Sequence, residues 1–313
     1  MPNYSGVWSL SQQFQAVGQG LWPPNFVPTE TFAIFALGAT TGCVPTTTRN
    51  KYLYSGDAVS AGGAATVASR AGSAAGTCAV GIFALGYAPC RSTTRNKYTY
   101  SSCVVGSATA STAVSGNGSA AGNSTVGIFA LGVTATTFST TRNKYTYSGD
   151  VVAAGGAATV CSFSGAAAGN STTGIFQLGK SLTTRNKYTY SSCVVAAGGA
   201  ASAITCGGSA AGTSTVGIFA IGYTSTYVTT RDKYTYSGCT VAAGGAATVA
   251  STTGSAAGNS TVGIFALGYT STAPSTTRNK YTYSGCVVSA GGAATVASCQ
   301  SSAASNGTTG VNM

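Results

Sequence analysis

From Thr31 onward, polar and apolar residues alternate with a period of two inside short segments set apart by glycine. In Arg142–Tyr147, the residues Arg142, Lys144 and Thr146 fall on one side and Asn143, Tyr145 and Tyr147 on the other, which predicts a β-strand. The expectation is a solvated charged face and a buried aromatic one. Ahead of each such segment stands a hexapeptide of the GIFALG type, with its Phe at Phe35, Phe83, Phe129, Phe176, Phe219 and Phe265. Behind it comes an Ala/Gly/Val segment, as in Val151–Thr159, and then one of the type Ala120–Thr125. The joints at Gly149, Gly155 and Gly156 supply turns and break any long helix.

The four segments recur together. The Arg of the T-R-N-K-Y-x-Y motif falls at 49, 95, 142, 185, 231 and 278, at spacings of 46, 47, 43, 46 and 47. A period of roughly 40–50 residues with four short strands is that of a propeller blade. Six such units, packed around a ring, would cover one another's apolar faces. The expected fold is therefore all-β, a six-bladed β-propeller. Three segment types occur six times, but the Ala120–Thr125 type lies between units only five times. The C-terminal Ser302–Val311 reads as the sixth copy, so it should pair with the first blade beside Ile34–Leu37 and close the ring. Residues 1–30 stand outside the repeat as an N-terminal anchoring arm, and residues 31–313 form the propeller.

A strand ending in Gly, a Tyr-bearing strand and a third strand together resemble the kelch repeat across about residues 31 to 313. The chain departs from that pattern in carrying Leu131-Gly132 where kelch blades have a double Gly, and in lacking a Trp within the blade. The resemblance implies a kelch-like propeller, a fold that serves many functions. Residues 5–24 are of another kind. Gly6, Val7, Trp8, Ser9, Leu10, Gln12, Gln13, Phe14, Gln15, Ala16, Trp22 and Pro23 resemble a leader of bacteriophage tail-fibre and other virion proteins. That resemblance implies an anchor to partner chains through Trp8, Phe14 and Trp22.

Composition narrows the chemistry. The chain has no His and four acids, Glu30, Asp57, Asp150 and Asp232, so the usual general base and a paired-carboxylate site are both missing. No enzymatic activity, no catalytic residue and no cofactor is expected. Ten Cys show no C-x-x-C spacing, so no zinc site is expected. Cys103, Cys193, Cys239 and Cys286 occupy the repeat position that Asp57 and Asp150 hold elsewhere. They read as half-buried thiols, with disulfides as the alternative. The sequons at Asn123, Asn170 and Asn259 read as turn residues. No apolar run approaches the roughly 18 residues of a spanning helix, and the N-terminus lacks a secretory pattern, so no membrane insertion is expected.

The formal net charge is +11, and twelve of the fifteen basic residues belong to the repeat. Charge spread in this way reads as a ring of solvated side chains more than as a polyanion site, so nucleic acid is an unlikely partner. Aromatic and basic side chains near strand ends suit acidic or glycan ligands. The contact residues expected on this reading are Arg95, Lys97, Arg142, Lys144, Arg185, Lys187, Arg278 and Lys280. The function expected is that of a phage virion protein, a tail fibre or related surface component, that attaches to a host-surface glycan. It would be assembled in the host cytoplasm with other virion proteins and copies of itself. A cellular kelch-like scaffold or lectin is the alternative, and a basic nucleic-acid-binding propeller the third reading.

Overall fold

The computed structural model describes residues 30–307 except Pro89 and Thr136. Trp8, Phe14 and Trp22 lie outside the described residues, as does the C-terminal segment beyond Gly307. Six four-stranded antiparallel sheets make up the described chain, with a short hairpin, Val133–Thr134 with Thr137–Phe138, inserted in the third. The third blade shows the plan. Its inner strand Ser119–Gly122 pairs with Val126–Ala130, which pairs with Arg142–Thr146, which pairs with the outer strand Val151–Ala154. Thr31–Met313 form one unit.

The first blade takes its inner strand from the far end of the chain. Ser302–Ser305 runs antiparallel to Phe32–Ala36, with Ala304 opposite Ile34 and Ala303 opposite Phe35. This is the closure expected from the count of segments. It is reinforced beyond the ladder, because Asn306 Oδ1 accepts from the Phe32 N–H at 2.7 Å and Tyr54 donates to Ser305 Oγ at 2.9 Å.

A second closed cycle of bonds runs around the axis. The backbone N–H of Asn117 donates to Ala71, Ser164 to Asn117, Gly207 to Ser164, Thr253 to Gly207, Gln300 to Thr253, and Ala71 back to Gln300, at 2.7–2.9 Å. Every one of these six residues has a positive φ, from 49° at Ser164 to 65° at Gly207. The left-handed turn aims each amide at the neighbouring blade, and five non-Gly residues accept its steric cost.

Alternation places the Arg and Tyr side chains on opposite faces, as expected, but the exposure of those faces differs from expectation. Tyr98 and Tyr100 are buried, and so is Arg95; only Lys97 is half-buried. The same holds in every blade: Arg49, Arg95, Arg142, Arg185, Arg231 and Arg278 are at most 1% exposed. The reason is architectural. A blade in a closed ring has a neighbour on both sides, so neither face of its sheet is free for water. The expected ring of solvated arginines is therefore corrected to a ring of buried ones. Small residues permit the tight packing, since a Cβ at Gly127 would stand 2.7 Å from the Tyr147 hydroxyl that crosses it.

Candidate binding face

Six equivalent clasps join the blades. Nη2 of each buried Arg donates to the third-strand Asn of the next blade: Arg49 to Asn96, Arg95 to Asn143, Arg142 to Asn186, Arg231 to Asn279 and Arg278 to Asn50, at 3.0–3.1 Å. The sixth acceptor is a carboxylate, with Arg185 Nη2 at 2.6 Å from Asp232 Oδ2. Each guanidinium also lies over the Phe of that next blade, Arg95 over Phe129 at 4.6 Å and Arg278 over Phe35 at 4.6 Å, a favourable cation–π geometry. The linker between blades ties into the same Asn, because Asn143 accepts from Thr112 N–H and donates to Thr112 Oγ1. Burial pulls the guanidinium of Arg49, Arg95, Arg142, Arg231 and Arg278 down to about 10, so they remain charged at neutral pH.

Four of the eight expected contact residues, Arg95, Arg142, Arg185 and Arg278, are thus held inside these clasps, where no surface ligand reaches them. The other four, Lys97, Lys144, Lys187 and Lys280, are half-buried and reach toward the next blade. Lys280 Nζ lies 3.0 Å from Asp57 and Lys97 Nζ 3.2 Å from Asp150. Lys144 and Lys187 meet Cys193 and Cys239 instead, with Nζ to Sγ of 3.7 and 3.8 Å. The ten Cys are free thiols; the half-buried reading describes Cys161, Cys193, Cys206, Cys239 and Cys286, but it is corrected at Cys103, which is exposed like Cys43, Cys78 and Cys90, and at Cys299, which is buried.

Inner strands line a narrow axial cavity of about 60 Å³, walled by Gly and Ala backbone and by Ser73, Ser119, Ser209, Ser255 and Ser302. The sequons serve as turn residues, as expected. Asn123 Oδ1, for example, accepts from the Thr125 and Val126 N–H groups between the inner and second strands.

Basic and aromatic residues of the loops outside the T-R-N-K-Y-x-Y motif collect on one face. Because Ser119 pairs opposite Ala130, the loop after the second strand and the linker into the inner strand emerge at the same end of the blade. On that face stand the three basic residues outside the motif and six aromatic residues outside it, in three clusters. Arg70 and Arg91 lie over the Tyr87 ring at 5.7 and 4.9 Å. Lys180 lies 4.7 Å over Phe138, which meets Phe163 edge-on at 5.3 Å. Tyr223 packs on Tyr227 at 5.6 Å, and Tyr227 on Tyr269 at 6.3 Å. Phe138 and Tyr223 are openly exposed. Sequence reasoning passed over these residues because it followed the T-R-N-K-Y-x-Y motif; their signal was a bulky or charged side chain in a Ser/Thr/Gly loop, recurring after the GIFALG-type segment at Tyr87, Tyr223 and Tyr269.

No protein-family model matches the chain, and no curated protein matches it. Solved structures do. The structure of YjhT superposes with a TM-score of 0.64 over 82% of this chain and 94% of that one, at 10% sequence identity. With six closed four-stranded sheets, the likeness defines the class: this is a six-bladed β-propeller. At that identity it carries the fold alone, and neither a kelch family nor a virion role comes with it.

Proposed function

We propose that this propeller is a non-enzymatic attachment protein that recognises a surface glycan through the face bearing Tyr87, Phe138, Tyr223, Tyr227 and Tyr269. One observation carries the reading: among the described residues, the three cations outside the T-R-N-K-Y-x-Y motif and the loop aromatics Tyr87, Phe138, Phe163, Tyr223, Tyr227 and Tyr269 lie on that single face, while the motif's own arginines are enclosed. Loops on a rigid ring are where binding residues are best displayed, and exposed Tyr and Arg are the side chains that most often carry recognition. Aromatic faces stack on the apolar side of a pyranose, and the cations beside Tyr87 and Phe138 suit an acidic sugar.

The leader resemblance supports carriage of the ring on a phage particle, with residues 1–30 as its anchor. Mass spectrometry of purified particles tests that part, and finding the chain only in host cell fractions would favour a cellular lectin. Glycan-array binding tests the recognition part: the intact protein should bind, and Tyr227→Ala should lose that binding without a change in melting temperature. Equal binding by both would remove the face from the reading.

A further inference from the structure

One position of the repeat, six times represented, is occupied by two chemistries. It follows the second Tyr of the motif and has a left-handed backbone throughout, with φ from 51° to 56° at Asp57, Cys103, Asp150, Cys193, Cys239 and Cys286. In the aspartate blades the carboxylate answers two donors at once. Asp57 accepts from Lys280 of the preceding blade at 3.0 Å and from its own blade's Tyr52 hydroxyl at 2.7 Å; Asp150 accepts from Lys97 and Tyr145 in the same way.

In the cysteine blades the donors are kept and a sulfur stands where the carboxylate oxygens would be. Lys144 stands 3.7 Å from Cys193 Sγ and Lys187 3.8 Å from Cys239 Sγ. The first-Tyr hydroxyls of all four cysteine blades, Tyr98, Tyr188, Tyr234 and Tyr281, are buried with no oxygen acceptor; they meet the thiol and a glycine backbone amide of the preceding blade instead. Tyr188 and Tyr234 lie directly beside Cys193 and Cys239. Sulfur is a weak acceptor, so a reduced thiol leaves both donors poorly answered. The thiols themselves are half-exposed and within reach of a small oxidant.

We propose that Cys193 and Cys239 are oxidation sites at which hydrogen peroxide converts the thiol to a sulfinate, and that the sulfinate takes the aspartate's place between Lys and Tyr. In the first step the sulfur lone pair attacks one peroxide oxygen and the O–O bond breaks. The departing hydroxide takes the thiol proton, leaving sulfenic acid and water. A second peroxide repeats the two-electron oxidation, giving sulfinic acid and a second water, and the acid releases its proton to solvent. The product resembles aspartate in the respect that matters, a Cβ carrying a centre with two anionic oxygens. Those oxygens reach one bond beyond the sulfur, toward the ammonium of Lys144 or Lys187 and the Tyr188 or Tyr234 hydroxyl. Oxidation would then turn two thiol contacts into inter-blade ion pairs of the kind already present at Lys280–Asp57. This inference does not depend on the proposed glycan-binding role.

Peroxide titration of the purified full chain, followed by weighing of its peptides, tests it. The Cys193 and Cys239 peptides should gain two oxygens at peroxide levels severalfold below those needed at Cys78, which is exposed. Lys144→Met should lower the sulfinate yield at Cys193 severalfold and leave Cys239 unchanged, with Lys187→Met doing the reverse. A merely structural role for the lysines would not produce that site-by-site exchange. Oxidised protein should melt at a higher temperature than reduced protein, and Cys193→Asp should raise melting without peroxide. Oxidation that follows exposure alone, with Cys78 and Cys90 first and no effect of Lys144→Met, would overturn the proposal. A lowered melting temperature for Cys193→Asp would do the same.

Discussion

Arg185 and Asp232 form an ion pair of 2.6 Å with side chains 0% and 1% exposed, at a position where the other five blades pair Arg with neutral Asn. The clasp therefore works by hydrogen-bond geometry, and the carboxylate is one way of filling it. Asp232→Asn should keep an acceptor for Arg185 and for the Ser202 N–H, and its new amide can donate to Ser202 Oγ as Asn143 does to Thr112. The expected cost is within about 1 kcal/mol, since replacing a buried ion pair by a well-matched neutral set is often close to neutral. Arg185→Met in the native background should cost about 3–5 kcal/mol, because it leaves Asp232 buried and unpaired. Adding Asp232→Asn to it should recover a large part of that loss in urea denaturation. Asp232→Asn proving as damaging as Arg185→Met would show that charge, rather than geometry, holds this junction.

The fourth blade differs at a second place. Gln177 stands where the second strands of the other blades end in Ala, and its Oε1 accepts from Arg185 Nε at 3.1 Å and Nη2 at 2.7 Å. Nε of Arg49, Arg95, Arg142, Arg231 and Arg278 is buried without a partner. The residue facing Gln177 across the ladder is Ala166, where the third blade has Ser119 facing Ala130. Ala130→Gln combined with Ser119→Ala should therefore supply Arg142 with its missing acceptor. A change within about 1 kcal/mol is expected, because the new bond is offset by burying an amide Nε2 that has no partner in Gln177 itself. Thermal melting of the double variant reads it, and a larger loss of stability would mean that the wider pocket of the fourth blade is not reproduced in the third.

Stability should fall steeply in alkali. Twelve motif tyrosines have hydroxyls pushed up by burial, Tyr100, Tyr190 and Tyr283 well above the ordinary value. A group whose folded value is raised contributes stability that is complete below its unfolded value, near 10 for Tyr, and lost as pH rises toward the folded value. The arginines act the other way: burial lowers five of them to about 10 and Arg185 in the same direction, so their contribution improves with pH between the folded and the unfolded value. Twelve tyrosines outweigh six arginines, and unfolding should set in above about pH 10. Tyrosinate absorbance should rise together with the loss of β-sheet signal, in one cooperative step. Gradual ionisation in a protein that stays folded would show that the hydroxyls are not sealed.

Much of this architecture is legible in the sequence. The period of the Arg positions, the alternation in Arg142–Tyr147 and the missing sixth inner strand lead to six closed blades without any coordinates. What alternation cannot reveal is which face meets solvent, since it separates Arg142 from Tyr145 without saying that a second blade covers each. Arginine is also a residue whose charge argues for the surface until its partners are known, and Asn186 lies 44 residues away from Arg142. The loop aromatics were hidden for a different reason. A Tyr follows the GIFALG-type segment in only three of the six blades, at Tyr87, Tyr223 and Tyr269, Tyr227 stands outside even that pattern, and only the fold brings Tyr227 and Tyr269 to one face.

The last prediction concerns the closure. Ser302–Ser305 supplies the whole inner strand of the first blade, and the residues just before it carry two further ring contacts, the Gln300 amide to Thr253 and Cys299 to Ala39. Ending the chain after Ala297 removes all of these together. The second strand Phe32–Ala36 would then present a bare edge, with the buried Ile34 and Phe35 beside it. Several backbone groups left unpaired next to a core cost about 1–3 kcal/mol each, and an open edge invites pairing with another chain. The truncated protein should melt at a lower temperature and enter oligomers at concentrations where the full chain is monodisperse, which light scattering with thermal melting would follow. Because the ring's bonds form closed cycles, the loss should spread to the sixth blade, whose Ser255 hydroxyl bonds Ser301 at 2.8 Å across the same seam. Hydrogen exchange should show that spread as faster exchange in Ser255–Gly258 as well as in Phe32–Ala36. Faster exchange confined to the first blade, with melting unchanged, would show that the ring stays closed without its C-terminal strand.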